Sequence, residues 1–177
     1  MPSYAHITSP SSPEQFQGGY KDVFYLCPVT DFLTMATVVG TTALGDKYTI
    51  NTAHTFAATK GFFSWVTKTE TVKLTAETVG EKGARLIRYK VEFQVVTDGA
   101  ATQEQLTNLL NQKNIYMIKD ANCLITDSYI QLGDTCKQAS FSVTFDGGIE
   151  ENLKAWTVTG EIVQKRFFYN ATLTQAS

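Results

Sequence analysis

The sequence predicts a mainly β fold: a β-sandwich or partly closed barrel with one long β-hairpin and one short α-helix. First, residues 66–97 form two alternating segments around a turn at 80–83, and alternation indicates strands with one buried face. Second, the segment 103–112 has the apolar spacing of an amphipathic helix. Third, only 18% of the 177 residues are charged, against a usual value of about 25%, and threonine and glutamine are frequent instead.

The N-terminal segment, 1–20, is predicted to be an arm. It contains three of the four prolines and several serines, a composition typical of linkers rather than of core elements. Residues 21–177 are expected to form one domain, because a chain of this length can bury a sizeable core without disulfides or metals. The first strand of that domain is predicted at 23–27, and Pro28 ends it.

The hairpin is the most informative part of the sequence. Arms of about 12 residues at roughly 3.3 Å each would reach on the order of 40 Å, whereas strands usually span roughly 17–20 Å. The excess length predicts a surface that meets other subunits. The polar faces of the two arms carry Thr67, Thr69, Thr71, Thr75, Arg88, Lys90, Glu92 and Gln94. The apolar faces carry Val72, Leu74, Ile87, Tyr89, Val91 and Phe93.

The helix is predicted to begin with a capping box and to pack through leucines. Thr102 and Gln105 have the capping-box spacing, and Leu106, Leu109 and Leu110 form the apolar stripe. Further strands are then predicted, with a bulge or bend near Gln164 in the last one because its apolar register shifts there. These strands are expected at 115–119, 123–126, 128–132, 139–145 and 155–168.

No catalytic, cofactor-binding or metal site is predicted, so the protein is not expected to be an enzyme and needs no cofactor. The two histidines, His6 and His54, lack metal-binding spacing, and we interpret both as surface or loop residues. The three cysteines are far apart and odd in number, which argues against a zinc site or a disulfide framework. No glycine-rich phosphate-binding loop with its lysine is present.

The charge distribution argues against tight nucleic-acid binding. The net charge is −2, and no cluster of basic residues supplies the phosphate neutralisation on which such binding depends. No run of residues approaches the 18 or so apolar positions of a membrane span, so no membrane partner is expected.

The order of elements in the C-terminal two-thirds resembles the tail tube proteins of long-tailed phages and the tubular parts of contractile injection systems. The long hairpin is followed by the short helix and by a strand that reads Asn-Ile-Tyr-Met-Ile-Lys at 114–119. The segment Tyr-Ile-Gln-Leu-Gly at 129–133 comes next, and strands at 139–145 and 155–162 complete the pattern. The N-terminal residues up to about 60 match this layout less clearly.

The resemblance implies a structural virion protein. Six copies would form a ring, a homohexamer, and the rings would stack into a tube through which DNA passes during genome ejection. The partners would be other copies of the chain, other tail proteins and DNA in transient passage. The chain would be assembled in the host cytoplasm and would reside in the virion tail. The channel would be lined by Thr67, Thr69, Thr71, Thr75, Arg88, Lys90, Glu92 and Gln94. The core or subunit interfaces would contain Val72, Leu74, Ile87, Tyr89, Val91, Phe93, Leu106, Leu109 and Leu110.

Other functions fit the same residues. Another ring component of a phage tail, such as a terminator or a hub, shares this layout. A carbohydrate-binding or adhesin module on a β-sandwich is the alternative of a different class, with Trp65 or Tyr129 as its exposed aromatic platform. An enzyme on a β scaffold is a third possibility, but no residue pattern in the sequence supports it.

Overall fold

The computed structural model describes residues 20–40, 42–43, 45–97, 99–121, 129–147 and 154–177. The predicted arm at 1–20 therefore lies outside the described residues except for its last position, and so does the predicted strand at 123–126. Within the described residues the chain is mainly β, which confirms the predicted fold class. The first strands are β1 (Tyr20–Pro28), β2 (Phe32–Thr34), β3 (Thr49–Ile50), β4 (Thr55–Phe56), β5 (Phe63–Val66), β6 (Lys73–Val79) and β7 (Leu86–Val95). After α1 (Ala100–Asn111) come β8 (Asn114–Asp120), β9 (Tyr129–Leu132), β10 (Ser140–Asp146), β11 (Ala155–Val163) and β12 (Arg166–Tyr169).

The strands form two main sheets and one small one. The larger sheet has six strands in the order β3-β12-β9-β8-β1-β5, and the second has four strands in the order β10-β11-β7-β6. Strands β2 and β4 pair separately. Neighbouring strands in the four-stranded sheet are all antiparallel, whereas the six-stranded sheet contains one parallel pair, β12 with β3.

The first hydrophobic cluster lies between the two main sheets. Phe24 of β1 stacks on Phe93 of β7 with 4.4 Å between ring centroids, and Tyr116 of β8 contacts Phe141 of β10 at the same distance. Gly160 of β11 makes room for this contact, because a Cβ there would lie 2.6 Å from the Phe141 ring. Any larger residue at that position would force the ring out of its place.

The second cluster lies on the opposite face of the six-stranded sheet. Alternation in β1 sends Phe24 and Leu26 into the first cluster and Tyr25 and Cys27 into the second. Two segments, residues 29–40 and 51–62, cover this face of the sheet. They contain β2 and β4 respectively, and we call the two segments together the flap. Among the described residues, the six-stranded sheet is thus packed on both faces, whereas the four-stranded sheet is packed on one.

The predicted hairpin is present, but its first arm is shorter than expected. Seven Cα pairs join β6 to β7, from Lys73 opposite Glu92 to Val79 opposite Leu86. Val66 belongs instead to β5 and pairs with β1 in the other sheet. The residues between β5 and β6 cross from one sheet to the other, and the turn within them places Glu70 at a positive φ of 62°. The prediction of one continuous arm was wrong because alternation continues through the crossing.

The bend predicted near Gln164 is present and marks a second crossing. Strand β11 ends at Val163 in the four-stranded sheet, and β12 begins at Arg166 in the six-stranded sheet. Gln164 has a φ of 66°, and its backbone N–H donates to the carbonyl of Ile87 at 2.9 Å. The shift in apolar register therefore reflects a change of sheet.

The helix occupies Ala100–Asn111, slightly earlier than predicted, and its capping box is absent. Gly99 precedes the first turn, and Thr102 and Gln105 are inside the helix and buried. Leu106 and Leu109 are buried as predicted, but Leu110 is exposed. The reason is that the buried side is centred on the row 102, 105, 106 and 109, and residue 110 lies about 100° round the helix from residue 109.

Two neighbouring leucines of the helix allow the cost of burying a charge to be measured separately from the other effects of adding it. Leu109 is 2% exposed and Leu110 is 43% exposed. We expect Leu109→Asp to lower the free energy of unfolding by about 3 kcal/mol or more, because an unpaired carboxylate replaces a buried side chain. Leu110→Asp adds the same charge in the same turn, and its expected effect is within about 0.5 kcal/mol. Denaturant unfolding measures both values, and equal losses would contradict the assigned helix face.

Candidate assembly face and sheet edges

The outer face of the four-stranded sheet is the candidate functional surface. Its inner face packs in the first cluster, and alternation places a polar set on the opposite side. None of these polar side chains is buried. The set consists of Lys73, Thr75, Glu77, Arg88, Lys90, Glu92, Gln94, Ser140, Ser142, Thr144, Thr157, Thr159 and Glu161.

Opposite charges face each other across the strands of this surface. Lys73 is the Cα partner of Glu92, and Lys90 is the partner of Glu161. Arg88 is the partner of Glu77 and forms an ion pair with it at 3.2 Å. Such exposed pairs contribute little to stability, about 0–1 kcal/mol each. Their main consequence is electrostatic, since three cations and three anions lie close together and offset one another.

The structure brings five of the predicted channel residues together on this face. They are Thr75, Arg88, Lys90, Glu92 and Gln94. The other three predicted residues lie in the crossing between β5 and β6 and are not on the paired strand.

The three threonines of the crossing have different surroundings. Thr67 is 5% exposed, so its prediction as an exposed residue was wrong. Thr69 is exposed. The Thr71 hydroxyl donates to the carbonyl of Lys68 at 2.6 Å and accepts from the backbone N–H of Gln94 at 3.2 Å. Thr71 thus fastens the crossing to β7.

The apolar residues predicted for the core or interface divide by their position along the hairpin. Val72, Val91 and Phe93 are buried in the first cluster, and Leu74 and Tyr89 pack at its border. Towards the turn the inner face emerges from the core, so Ile87 is exposed. Its neighbour Leu86 is exposed as well. The end of the hairpin therefore projects beyond the sandwich.

The edges of the four-stranded sheet are β6 and β10. Each strand is seven residues long. An edge strand presents a row of unpaired N–H and C=O groups, which proteins usually protect with proline, lysine or short length. Strand β10 contains no proline, lysine or arginine, and its single charge is Asp146 at its end. Within the described residues, its sequence therefore carries none of the usual protecting side chains along the edge.

The two edges run in opposite directions. Strand β10 is antiparallel to β11, β11 is antiparallel to β7, and β7 is antiparallel to β6. Three reversals leave β6 antiparallel to β10. The β6 edge of one molecule can therefore pair with the β10 edge of another in an antiparallel ladder, and repetition by rotation closes a ring without a free edge.

The aromatic residues proposed for a sugar-binding platform do not form one. Trp65 is fully buried in the first cluster, and Tyr129 is buried in the second. An exposed platform on either residue was therefore a wrong prediction. His54 lies in a loop, one of the two predicted alternatives, and it is buried rather than at the surface.

Comparisons with protein-family models, with curated proteins and with solved structures give no match. The described part of the chain contains no helix of the length and apolar character that crossing a membrane requires.

Cross-linking tests the pairing of the two edges. Within one molecule β6 and β10 are three strand spacings apart, roughly 14 Å, which is too far for a disulfide. We expect Thr75→Cys combined with Ser142→Cys to give an intermolecular ladder under oxidation, in a background with Cys123 and Cys136 changed to serine. Gel electrophoresis resolves the cross-linked species, and the largest of them gives the number of copies in a ring.

The register between copies is sampled by replacing the second cysteine. Ser140→Cys and Thr144→Cys lie on the same face of β10 as Ser142. The matched control is Thr75→Cys with Lys90→Cys, whose Cα atoms are partners within one molecule and which should give no ladder. Monomer bands for all three β6–β10 combinations, at concentrations where the protein self-associates, would exclude pairing of these edges.

Proposed function

We propose that the protein is a structural component of a phage tail that assembles into stacked rings and forms the tail tube through which DNA passes. The observation that carries the proposal is a sheet packed on only one face, with two long complementary edges and a hairpin end that projects from the core. The order of hairpin, helix and strands that resembles tail tube proteins supports the same function.

The number of strands suits a channel. Each copy would contribute four strands to a common barrel, and barrels of 16–18 strands already enclose an aqueous pore. A hexameric ring would exceed that number. The outer face of the sheet would then be the wall of the channel, and the six-stranded sheet with its flap would lie outside it.

The chemistry of the proposed wall suits passage of DNA rather than binding. Sequence-independent affinity for DNA requires a net excess of cations that displace counterions from phosphates. Here the cations are matched by neighbouring carboxylates, as in the pairs Lys90–Glu161 and Arg88–Glu77. The remaining residues of the face are mostly threonine, serine and glutamine, which add polarity without charge.

Electron microscopy of the purified full chain at rising concentration tests this function. The expected result is a series of rings and stacked tubes with an open centre. Isolated rings that never stack would favour a terminator or hub ring instead. A strictly monomeric protein, without rings or tubes at any concentration, would overturn the proposal.

Shortening the hairpin should separate folding from assembly. Deleting the pairs Thr78–Ile87 and Val79–Leu86 removes two steps of the β6 edge and keeps the alternation of both arms. Leu86, Ile87 and Thr78 are exposed, but the deletion also removes the Ile87 carbonyl that accepts from Gln164. We therefore expect a folded monomer with a lowered melting temperature, while rings and tubes are lost. Thermal unfolding and electron microscopy give the two readouts.

A variant of the turn is the matched control for this deletion. Glu81→Ala with Lys82→Ala changes the exposed turn but leaves every pair of the hairpin in place, so assembly should persist. Normal rings from the shortened protein would show that the hairpin is not a contact surface.

A further inference from the structure

His54 joins the flap to the six-stranded sheet through a continuous set of hydrogen bonds. It is 3% exposed, and its Nδ1 lies 3.0 Å from the backbone nitrogen of Ala36 in the flap. Its Nε2 lies 2.9 Å from Oε1 of Gln131 on β9. Its own backbone N–H donates to the hydroxyl of Tyr169 on β12 at 3.1 Å. One residue thus holds a flap segment and two sheet strands together.

These partners define the proton position on the ring. The amide of Gln131 donates from Nε2 to the carbonyl of Gly133 at 3.0 Å, so its Oε1 faces the histidine as an acceptor. Nε2 of His54 must therefore carry the hydrogen. The Ala36 backbone N–H can only donate, so Nδ1 must be unprotonated. The arrangement accepts the neutral ring and excludes the imidazolium, in which two donors would face each other at 3.0 Å.

Among the described residues, the groups that contact the His54 ring are aromatic or neutral rather than anionic. The ring of Tyr169 stacks on it at 4.8 Å, and Phe32, Phe56 and Phe62 complete an aromatic enclosure. A stacked ring attracts a cation by about 0.5–2 kcal/mol, which is less than the combined cost of burying a charge and breaking a buried hydrogen bond. Burial accordingly lowers the pKa of His54.

Other titratable groups near the flap are neutral or already paired. The Tyr169 hydroxyl donates to the carbonyl of Thr172, and Tyr129 lies beyond it in the same cluster. Burial raises the pKa of the Cys27 thiol, which therefore stays uncharged. On the flap itself, Asp31 forms an ion pair with Lys60 at 3.5 Å.

We propose that His54, which lies in the 51–62 half of the flap, is an acid-sensitive latch: protonation at Nδ1 breaks its hydrogen bond with Ala36 and releases the 29–40 half of the flap. The bonds from His54 to Gln131 and Tyr169 do not use Nδ1, so they stay in place and the sandwich stays folded. The ends of the flap remain anchored by backbone hydrogen bonds, from Val29 to Lys113 at 3.0 Å and from Phe62 to Thr174 at 2.9 Å. The opening is therefore confined to the middle of the flap, around β2 and β4. This inference does not depend on the proposed function.

The direction of the pH dependence follows from the neutral ring. A histidine whose pKa is lowered in the closed state stabilises closure fully above its ordinary pKa of about 6.5, and that stability is lost as the pH falls below this value. Because opening is coupled to the uptake of one proton by His54, the equilibrium constant for opening rises by up to tenfold for each unit by which the pH falls.

Hydrogen exchange of the full chain, followed by mass spectrometry and corrected for the pH dependence of intrinsic rates, tests the latch. From about pH 6.5 down to about pH 5, peptides from residues 29–40 should lose protection by up to tenfold per unit, whereas above about pH 6.5 their protection should change little. Peptides from β7 and β8 should keep theirs. Joint loss of protection in flap and sheets, with the same pH profile, would show global acid unfolding and overturn the proposal.

Variants without a titrating group at position 54 supply the control. His54→Gln and His54→Asn should weaken protection of the flap at neutral pH but remove its pH dependence. His6→Gln removes the other histidine of the chain and should leave the pH profile unchanged. A pH dependence that persists in both His54 variants would also refute the latch.

Discussion

The contact between the Phe24 and Phe93 rings is the interaction on which the rest of the structure depends. It joins β1, an inner strand of the six-stranded sheet, to β7, an inner strand of the four-stranded sheet, with 4.4 Å between ring centroids. Phe141 adds an edge contact to Phe24 and lies over Gly160, so aromatic packing extends across β7, β11 and β10. Because this packing uses one face of the four-stranded sheet, its other face is left to solvent or to other molecules.

The two crossings between sheets determine how far the hairpin projects. Glu70 and Gln164 both have positive φ, which costs a residue with a side chain roughly 1–3 kcal/mol when the surrounding structure enforces it. The backbone N–H of Glu70 donates to the carboxylate of Asp22 at 2.8 Å, and that of Gln164 donates to Ile87. These bonds hold the first crossing beside β1 and the second beside β7. Beyond Ile87, β6 is the strand that still pairs with β7 among the described residues.

Local periodicity predicted the fold class, most strands, the helix and the bend at Gln164, because these features depend on neighbouring residues. It could not show which sheet a strand joins, so Thr67 was assigned to an exposed face. The predicted capping box failed because Thr102 and Gln105 satisfy a spacing rule that tertiary packing overrides. Local periodicity could not predict the hydrogen-bond partners of His54, since Gln131 and Tyr169 are 77 and 115 residues away in the sequence.

The difference between the two sheets explains why assembly would use only one of them. The edge strands of the six-stranded sheet are β3, with two residues, and β5, with four, and short edges discourage pairing with other chains. An isolated bridge between Phe62 and Gln175 also places the C-terminal segment beside the start of β5. The four-stranded sheet has edges of seven residues, and β10 lacks the charges that would protect it. Among the described residues, the sheet with both faces packed thus has short edges, whereas the sheet with one packed face has longer edges that no further described strand pairs with. That combination favours lateral pairing that continues a single curved surface.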